Sequence, residues 1–282
     1  MRVTSLHFYP IKGARAVSPG GVRVAPRGFD GDRRWLVVDR SGMFATQRSH
    51  AGLATITAVP TSGGLRLSAP GASDLTIEEP SGAERLDVTV WDTTVNAAVA
   101  DARAHAWLSA VLGENLLLVH MDARTERLKR GIWTAEPLPV TFADAYPVLI
   151  VTRGSLAALN AEIVAHGGAA VPMARFRPNV VIDCDDAWRE DFWMRLRIGG
   201  IEFDLVKPCD RCVVTTKDQA TGESMGKEPL ASLARLRRSA DPRINGVLFG
   251  WNAVPRGTGP IEIGDRVEIL AERPEGFPLE RV

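Results

Sequence analysis

Cysteine is scarce in this 282-residue chain, which contains only Cys184, Cys209 and Cys212. An iron–sulfur cluster held by cysteine alone needs four thiolates, so this sequence cannot build such a cluster by itself. Few cysteines, together with an N-terminus that has no apolar signal segment, also argue against a disulfide-stabilised secreted protein. We therefore expect a protein of the reducing cytoplasm.

Long hydrophobic runs and an excess of one charge are also absent. The longest apolar stretches, such as 148–151, are far shorter than the roughly 18 residues that cross a bilayer, so we expect no membrane anchor. Lys and Arg together number 34, and Asp and Glu together also number 34. A balanced charge gives no support to a nucleic acid polymer or an anionic membrane as the main partner.

Several familiar catalytic motifs are missing. The sequence has no phosphate-binding loop of the G-x-x-x-x-G-K-[ST] type, no G-x-S-x-G nucleophile elbow and no H-E-x-x-H metal motif. Its five histidines are scattered singly and have no convincing triad partner. The chemistry must therefore be sought in other residues.

The pattern that is present is rich in β-structure. Apolar residues make up 45% of the chain, which is ample for a core. Short β-prone segments separated by turn residues fill the first hundred positions, and this spacing predicts an all-β barrel or sandwich. The strands expected there are 34–38, 43–47, 65–68, 75–77 and 86–95. Further strands are expected at 179–184, 194–198, 201–206, 213–216 and 266–270.

Three segments repeat apolar residues at helical spacing. The helices that we predict are 102–112, with Asp101 as its N-cap and Gly113 as its end; 156–166, opened by Ser155; and a third that carries Leu230, Leu233 and Leu236 with Pro229 in its first turn.

The length of the chain exceeds that of one average domain. The charged, proline-containing stretch 124–141 is the natural seam between two parts. We predict a mostly β, α+β protein, in which an N-terminal β-barrel-like domain (1–125) packs on a second β-barrel domain with a few helices (126–282).

A C-x-x-C pair is formed by Cys209 and Cys212. As half of a zinc site it has no second pair of ligands. As a thioredoxin-like redox pair it should precede a helix, whereas 213–216 looks like a strand. The third reading is one reactive thiolate, which Arg211 would favour and Asp210 would oppose, beside a buried cysteine. An ordinary structural role for both cysteines also stays open.

Three basic residues lie near glycines or prolines at predicted strand ends: Lys12 stands at a strand end, Arg33 follows Gly31-Asp32, and Arg177 precedes Pro178-Asn179 as a strand begins. Such positions suit a phosphate group, because arginine can bind it through two hydrogen bonds and nearby backbone N–H groups can assist. The alternative is that the three side chains are ordinary solvated surface.

The acidic stretch 183–191 invites comparison with a calcium site, but it lacks the EF-hand spacing and a central glycine. We expect it to be a solvated loop. Trp188 and Trp193, which lie in or beside this stretch, are expected to belong to the core.

A set of short segments, taken together in chain order, is typical of one known family. The segments are Tyr9-Pro10-Ile11-Lys12, Gly31-Asp32-Arg33-Arg34-Trp35, Thr46-Gln47-Arg48, Ser155-Leu156-Ala157-Ala158-Leu159-Asn160, Arg175-Phe176-Arg177-Pro178-Asn179, Glu190-Asp191-Phe192-Trp193, Cys209-Asp210-Arg211-Cys212 with Thr215-Thr216 and Thr221-Gly222, Leu248-Phe249-Gly250 and Gly264-Asp265. With them the chain resembles the MOSC (molybdenum cofactor sulfurase C-terminal) superfamily with its N-terminal β-barrel. The resemblance is greatest to the amidoxime-reducing components and their bacterial N-hydroxylamine-reducing relatives, and it covers nearly the whole chain.

The resemblance implies roles for particular residues. Cys212 matches the family's molybdenum-ligating cysteine, and Arg211 would lie beside the metal. Four residues match positions that hold the pterin cofactor and its phosphate: Lys12, Arg33, Arg177 and Asn179. Gly13 stands where the animal enzymes have a serine, so a side-chain contact is lost there. Ala145 and Tyr146 replace a Thr-Ser pair, which leaves backbone contacts or the Tyr146 hydroxyl.

The resemblance also implies a function. We expect a molybdenum-cofactor-dependent oxidoreductase that reduces small N-hydroxylated compounds to amines, a detoxification reaction. The pterin gives molybdenum two sulfurs and a cysteine thiolate adds a third, which leaves positions open for oxygen chemistry. The rivals are a cofactor-carrier or sulfur-transfer protein without turnover and, further off, a C-x-x-C redox or metal-binding module.

An electron donor is expected to be a separate flavin or iron–sulfur protein. The sequence has no dinucleotide-binding fingerprint, and no cysteine follows Cys212 to build the ferredoxin-type domain that some bacterial relatives carry. We therefore do not expect the chain alone to oxidise NADH.

Overall fold

The computed structural model describes residues 1–280. Strands account for 38% of the chain, which confirms a mostly β fold. The strands of the described part are β1 (Val3–Leu6), β2 (Gly21–Ala25), β3 (Gly28–Phe29), β4 (Trp35–Val38), β5 (Thr57–Thr61), β6 (Gly64–Ser68), β7 (Leu75–Glu78), β8 (Arg85–Val90), β9 (Thr93–Val99), β10 (Leu117–His120), β11 (Leu128–Lys129), β12 (Leu138–Pro139), β13 (Val148–Thr152), β14 (Val180–Ile182), β15 (Trp193–Ile198), β16 (Ile201–Arg211), β17 (Val247–Pro255), β18 (Gly259–Glu262) and β19 (Val267–Glu272).

Three α-helices occur within residues 1–280, close to the positions expected. They are α1 (Ala102–Leu112), α2 (Arg153–Ala165) and α3 (Leu230–Leu236), and short 3-10 helices cover Ala51–Thr55, Met173–Phe176, Arg189–Asp191 and Val213–Thr216. The caps of α1 are confirmed, because Asp101 accepts a hydrogen bond from the Ala104 N–H at 2.9 Å and Gly113 has the left-handed φ of 77°.

Two details of the other helices differ from expectation. Helix α2 begins two residues before Ser155, and its N-cap is Thr152, whose side chain accepts from the Ser155 N–H. Pro229 lies immediately before α3 rather than in its first turn.

Two strand expectations need correction as well. Residues 43–47 form only isolated bridges, and the segment 86–95 is divided between β8 and β9, which form a hairpin with Trp91 and Asp92 at its tip.

The largest sheet has seven strands in the order β1-β14-β13-β17-β16-β15-β19. Its parallel pair is β13 and β14, and α2 forms the crossover between them as a parallel connection requires. One face of the sheet buries Trp193, Phe203 and Trp251, and the other face packs against α2 and α3. The long strand β16 pairs with β15 over residues 201–204 and with β17 up to Arg211, so its C-terminal end is held through β17.

The first half of the chain forms smaller antiparallel sheets. One has the order β4-β10-β9-β8, and another has the order β5-β6-β7. Helix α1 packs between them through buried Leu108 and its neighbours.

The two halves of the sequence share sheets. Strand β1 pairs with β14 in the large sheet, and β2 pairs with β18. The first half therefore contributes β1 to a sheet built mainly by the second half, and the second half contributes β18 to the sheet of β2 and β3. The domain boundary at 125 and 126 stays a prediction.

The acidic stretch 183–191 is only partly a solvated loop. Glu190 and Asp191 lie in a buried 3-10 helix, where Asp191 pairs with Arg237 at 2.7 Å and Glu190 accepts from Ser155 at 2.8 Å. A single sequence cannot reveal such remote partners. Trp193 is fully buried, and Trp188 packs against the core beneath α2 and α3, as expected.

Within residues 1–280, no helix is both long enough and apolar enough to cross a membrane.

Candidate functional site

Cys212 stands immediately after β16, and its side chain is exposed. The chain then turns into the 3-10 helix Val213–Thr216, so the strand expected at 213–216 is wrong. The reason is local: the Cys212 carbonyl accepts hydrogen bonds from both the N–H and the hydroxyl of Thr215, at 3.0 and 2.9 Å. These two hydrogen bonds stabilise a 3-10 turn in a β-branched segment that would otherwise favour an extended conformation.

Cys209 has different surroundings. It is half-buried and packs against the core cluster that contains Phe176 and Phe249. Arg211 donates to the Cys209 Sγ at 2.9 Å and to the Phe176 carbonyl at 2.7 Å. The guanidinium expected beside Cys212 is therefore turned toward the other cysteine of the pair.

The cation found at Cys212 is Arg48, which the sequence did not single out as a site residue. Its Nη1 lies 3.8 Å from the Cys212 Sγ, and its guanidinium stacks 4.8 Å from the centre of the Trp91 ring. In the sequence, the only indication of a role for Arg48 was its place in the segment Thr46-Gln47-Arg48, which contributes to the family resemblance. Its contact to residue 212 spans 164 positions of sequence.

Tyr9 lies between two of the predicted basic residues. The guanidinium of Arg177 is 4.1 Å from the centre of the Tyr9 ring, and that of Arg33 is 4.7 Å away. Both arginines have left-handed backbones, with φ of 51° and 50°. Burial raises the pKa of Tyr9 to about 12 and lowers the pKa of Arg177 to about 10. A neutral tyrosine thus separates two charged side chains, and cation–π contacts hold all three.

Asp32 and Asn179 position this stack. The buried Asp32 carboxylate accepts from the Tyr9 N–H at 2.7 Å and pairs with Arg33. Burial opposes ionised Arg33, but Asp32 outweighs it and raises the pKa of Arg33. The buried Asn179 amide accepts from the Leu149 N–H and Arg33 and donates to the His7 carbonyl and Asp32. These four protein partners make Asn179 a support for Arg33.

Lys12 is buried at the far side of the cluster. Its Nζ donates to the Phe142 carbonyl at 2.8 Å and to the exposed Asp144 carboxylate at 2.5 Å. Burial lowers the pKa of Lys12. The Lys12 ammonium holds the pKa of Asp144 well below its usual range. Asp144 also accepts from the Trp91 Nε1 at 3.0 Å.

The remaining predicted residues flank these groups. Gly13 has φ of +85°, and a Cβ there would lie 3.2 Å from the Leu53 side chain, so a larger residue would need Leu53 to move. Ala145 is half-buried next to Asp144. Tyr146 is buried, and burial raises its pKa.

Gln47 and Gln219 join the two halves of the site, and neither was among the predicted site residues. Each side-chain amide donates to the other at 3.0 Å, and Gln47 also donates to the Gly13 carbonyl at 2.8 Å. The Gln219 oxygen accepts from Arg177 at 3.0 Å. The pair therefore links the loop that carries Arg48 to Arg177.

A pocket of about 400 Å³ opens beside the stack and is lined in part by Tyr9, Arg177 and Gln219. Its volume lies in the range of small-molecule sites. The neighbouring cluster has three cations (Lys12, Arg33 and Arg177) against two carboxylates (Asp32 and Asp144). Such an excess of positive charge suits an anionic group. Within residues 1–280, no group of three or more His, Cys, Asp and Glu side chains is arranged to hold a metal ion.

Comparison with known proteins gives two family matches. The MOSC N-terminal beta barrel domain matches residues 1–115, and the MOSC domain matches residues 137–268. A solution structure of a Bordetella bronchiseptica protein covers 41% of this chain and 88% of its own, at 23% identity with a TM-score of 0.34.

Similar curated proteins match over most of their length. Mitochondrial amidoxime-reducing component 1 of Mus musculus is 30% identical over 96% of this chain and 82% of its own, and that of Homo sapiens is 30% identical over 96% and 83%. Mitochondrial amidoxime reducing component 2 of Rattus norvegicus is 29% identical over 96% and 83%. The chain belongs to the family of MOSC proteins with an N-terminal β-barrel domain that includes the amidoxime-reducing components.

Proposed function

We propose that this protein is a molybdenum-cofactor-dependent reductase of N-hydroxylated compounds, with Cys212 as the protein's ligand to the metal. The observation that carries the proposal is the exposed Cys212 thiol at the end of a central strand, in a site whose cation-rich cluster is built by both halves of the chain. The names of the relatives support the same reaction at the level of the family.

The residues present fit such a cofactor. Arg177 uses one of its nitrogens for Gln219 and has donors left for a phosphate, which guanidinium groups bind well. Lys12 and Arg33 add charge, and Asn179 and Asp32 fix Arg33 in place. The backbone at Gly13, Ala145 and Tyr146 would line the same region. The bound molybdenum centre would supply the two-electron chemistry that removes oxygen from an N–OH group.

The overall reaction balances as follows for an amidoxime. The C=N–OH group takes up two electrons and two protons, the N–O bond breaks, and an amidine and water leave. The electrons must come from a donor, and we propose a separate flavin or iron–sulfur protein. We propose that the protein acts in the cytoplasm, although the names of the relatives place those proteins in mitochondria.

A cofactor carrier or sulfur-transfer protein is the alternative function. It would use the same cation cluster and the same thiol, but it would not reduce amidoximes. The relatives named for amidoxime reduction favour the enzyme.

The proposal is tested by metal analysis of the purified protein together with reduction of benzamidoxime by a chemical reductant. Molybdenum with turnover supports the enzyme, and molybdenum without turnover supports the carrier. Zinc without molybdenum would support a C-x-x-C metal module.

The two cysteines provide the sharper test. We predict that Cys212→Ala abolishes benzamidoxime reduction and removes one sulfur from the metal in molybdenum X-ray absorption, because a metal ligand must be an accessible thiolate. Cys209→Ala is the matched control. It should retain the sulfur and most of the activity, because the Cys209 thiol is engaged by Arg211 and core packing. If both variants behave alike, or Cys209→Ala is the inactive one, the assignment of Cys212 is wrong.

A further inference from the structure

Trp91 is exposed at the tip of the β8–β9 hairpin in a conformation that large side chains seldom adopt. Its φ is 58°, and 47% of the residue is exposed. A non-glycine residue at positive φ costs free energy, and a bulky apolar side chain gains little from water contact. Such a position calls for an explanation in terms of what the indole contacts.

Three contacts fix the indole ring. Arg48 stacks 4.8 Å from its centre, and Phe44 packs edge-on with centroids 5.2 Å apart. The Trp91 Nε1 donates to Asp144 at 3.0 Å, and Asp144 is itself held by Lys12. The ring is therefore oriented by the protein while nearly half of the residue stays open to solvent.

Arg48 brings this ring to the exposed thiol. It lies on a turn closed by Thr46 and Ser49, in which the Arg48 N–H donates to the Thr46 hydroxyl at 3.1 Å and the Thr46 N–H donates to the Ser49 hydroxyl at 3.2 Å. One guanidinium thus contacts both the indole and, at 3.8 Å, the Cys212 Sγ. Trp91 and Cys212 are separated by the width of a single side chain.

We propose that Trp91 and Arg48 form the substrate-recognition wall of the site and that they select planar aromatic N-hydroxylated substrates. The inference rests on the proposed reductase function. The aromatic ring of the substrate would stack on the open part of the indole, and Arg48 would donate a hydrogen bond to the N–OH oxygen beside Cys212. Stacked aromatic pairs add binding energy beyond the area that they bury, and guanidinium is a strong donor to oxygen.

The test compares benzamidoxime with acetamidoxime, which differ only in a phenyl and a methyl group. Calorimetric titration of the cofactor-loaded protein without reductant gives dissociation constants in the absence of turnover. Trp91→Ala should weaken benzamidoxime binding about tenfold and acetamidoxime binding less than about twofold, as the loss of one aromatic stack implies. Trp91→Phe should keep most of the preference for the phenyl compound.

Trp133→Ala is the matched control, because Trp133 stacks on Arg243 at 4.2 Å in another part of the protein. It should leave both dissociation constants unchanged. The inference is overturned if Trp91→Ala weakens both compounds equally or neither, in protein whose melting temperature shows that it is folded.

Failure of the proposed function gives a different result. Wild-type protein would then bind benzamidoxime in preference to acetamidoxime, through Trp91, but would reduce neither compound. Wild-type protein that binds the two compounds equally contradicts the recognition wall, whether or not it reduces them.

Discussion

The arginines of this site differ in how many protein groups they bind. Arg33 is tied to Asp32 and Asn179, Arg211 is tied to Cys209, and Arg177 has a single side-chain acceptor, Gln219, within the described part of the chain. The number of partners decides which guanidinium remains available to an incoming anion. Arg177 is the best placed, because it also lines the pocket.

We predict that Arg177→Ala lowers the molybdenum content of the purified protein without unfolding it. A charge-assisted hydrogen bond contributes about 1.5–3 kcal/mol, so cofactor affinity should fall at least about tenfold. Elemental analysis gives the molybdenum content, and thermal unfolding checks the fold. Arg66→Ala, at an exposed position on β6, is the control for loss of one positive charge.

Asn179→Ala should behave differently from Arg177→Ala. Loss of its amide leaves the buried Leu149 N–H without that acceptor, which costs about 1–3 kcal/mol of folding stability even without cofactor. Full molybdenum occupancy in Arg177→Ala, or an unchanged unfolding free energy in Asn179→Ala, would contradict this division of roles.

At the scale of elements, local signals predicted helices well and strand ends poorly. Helix α1 has its own cap residues, Asp101 and Gly113, so its limits follow from the sequence alone. The segment 213–216 is rich in β-branched residues, yet the Thr215 bonds to the Cys212 carbonyl make it a 3-10 helix. A preference of residue type is weak against two local hydrogen bonds.

A buried histidine in the sheet that contains β4 and β10 should make the free energy of unfolding depend on pH. His120, at the end of β10, is buried against Trp35 with ring centroids 4.4 Å apart, and burial lowers its pKa from 6.5 to about 4. The unfolded chain binds this proton near pH 6.5, whereas the folded protein resists it until pH 4. Stability should therefore fall as the pH drops through this window, by at most about 3 kcal/mol from this group.

We predict that His120→Phe flattens the pH dependence of the unfolding free energy between pH 6.5 and 4. Urea denaturation at several pH values in this interval measures the slope. His166→Gln, at an exposed position after α2, is the control for the loss of one imidazole. Equal slopes in wild type and His120→Phe would show that another group is responsible.

Across the whole molecule, the site is assembled from parts that are remote in sequence. Gln47 meets Gln219 over 172 positions, and Arg33 meets Asn179 over 146. The predicted cations Lys12, Arg33 and Arg177 could be found because they stand at strand ends near turns. Arg48 and the two glutamines could not, since nothing local in the sequence distinguishes an exposed arginine or a glutamine that will meet a distant partner.

Because the two halves share sheets, we predict that the protein unfolds in one cooperative transition. Strand β1 completes the large sheet, β2 pairs with β18, and the Gln47–Gln219 pair clamps the two halves. Neither half could unfold without breaking hydrogen bonds in the other. Scanning calorimetry should therefore show a single heat-absorption peak whose calorimetric and van't Hoff enthalpies agree.

Gln47→Ala tests how much the clamp contributes. It should lower the unfolding free energy by about 1–3 kcal/mol, because the Gly13 carbonyl loses its side-chain donor and Gln219 loses its bonds to Gln47, but the single peak should persist. The pairing of β1 with β14 and of β2 with β18 would still connect the halves. Two resolved peaks in the wild-type protein would mean that the halves unfold independently and that the shared strands do not couple them.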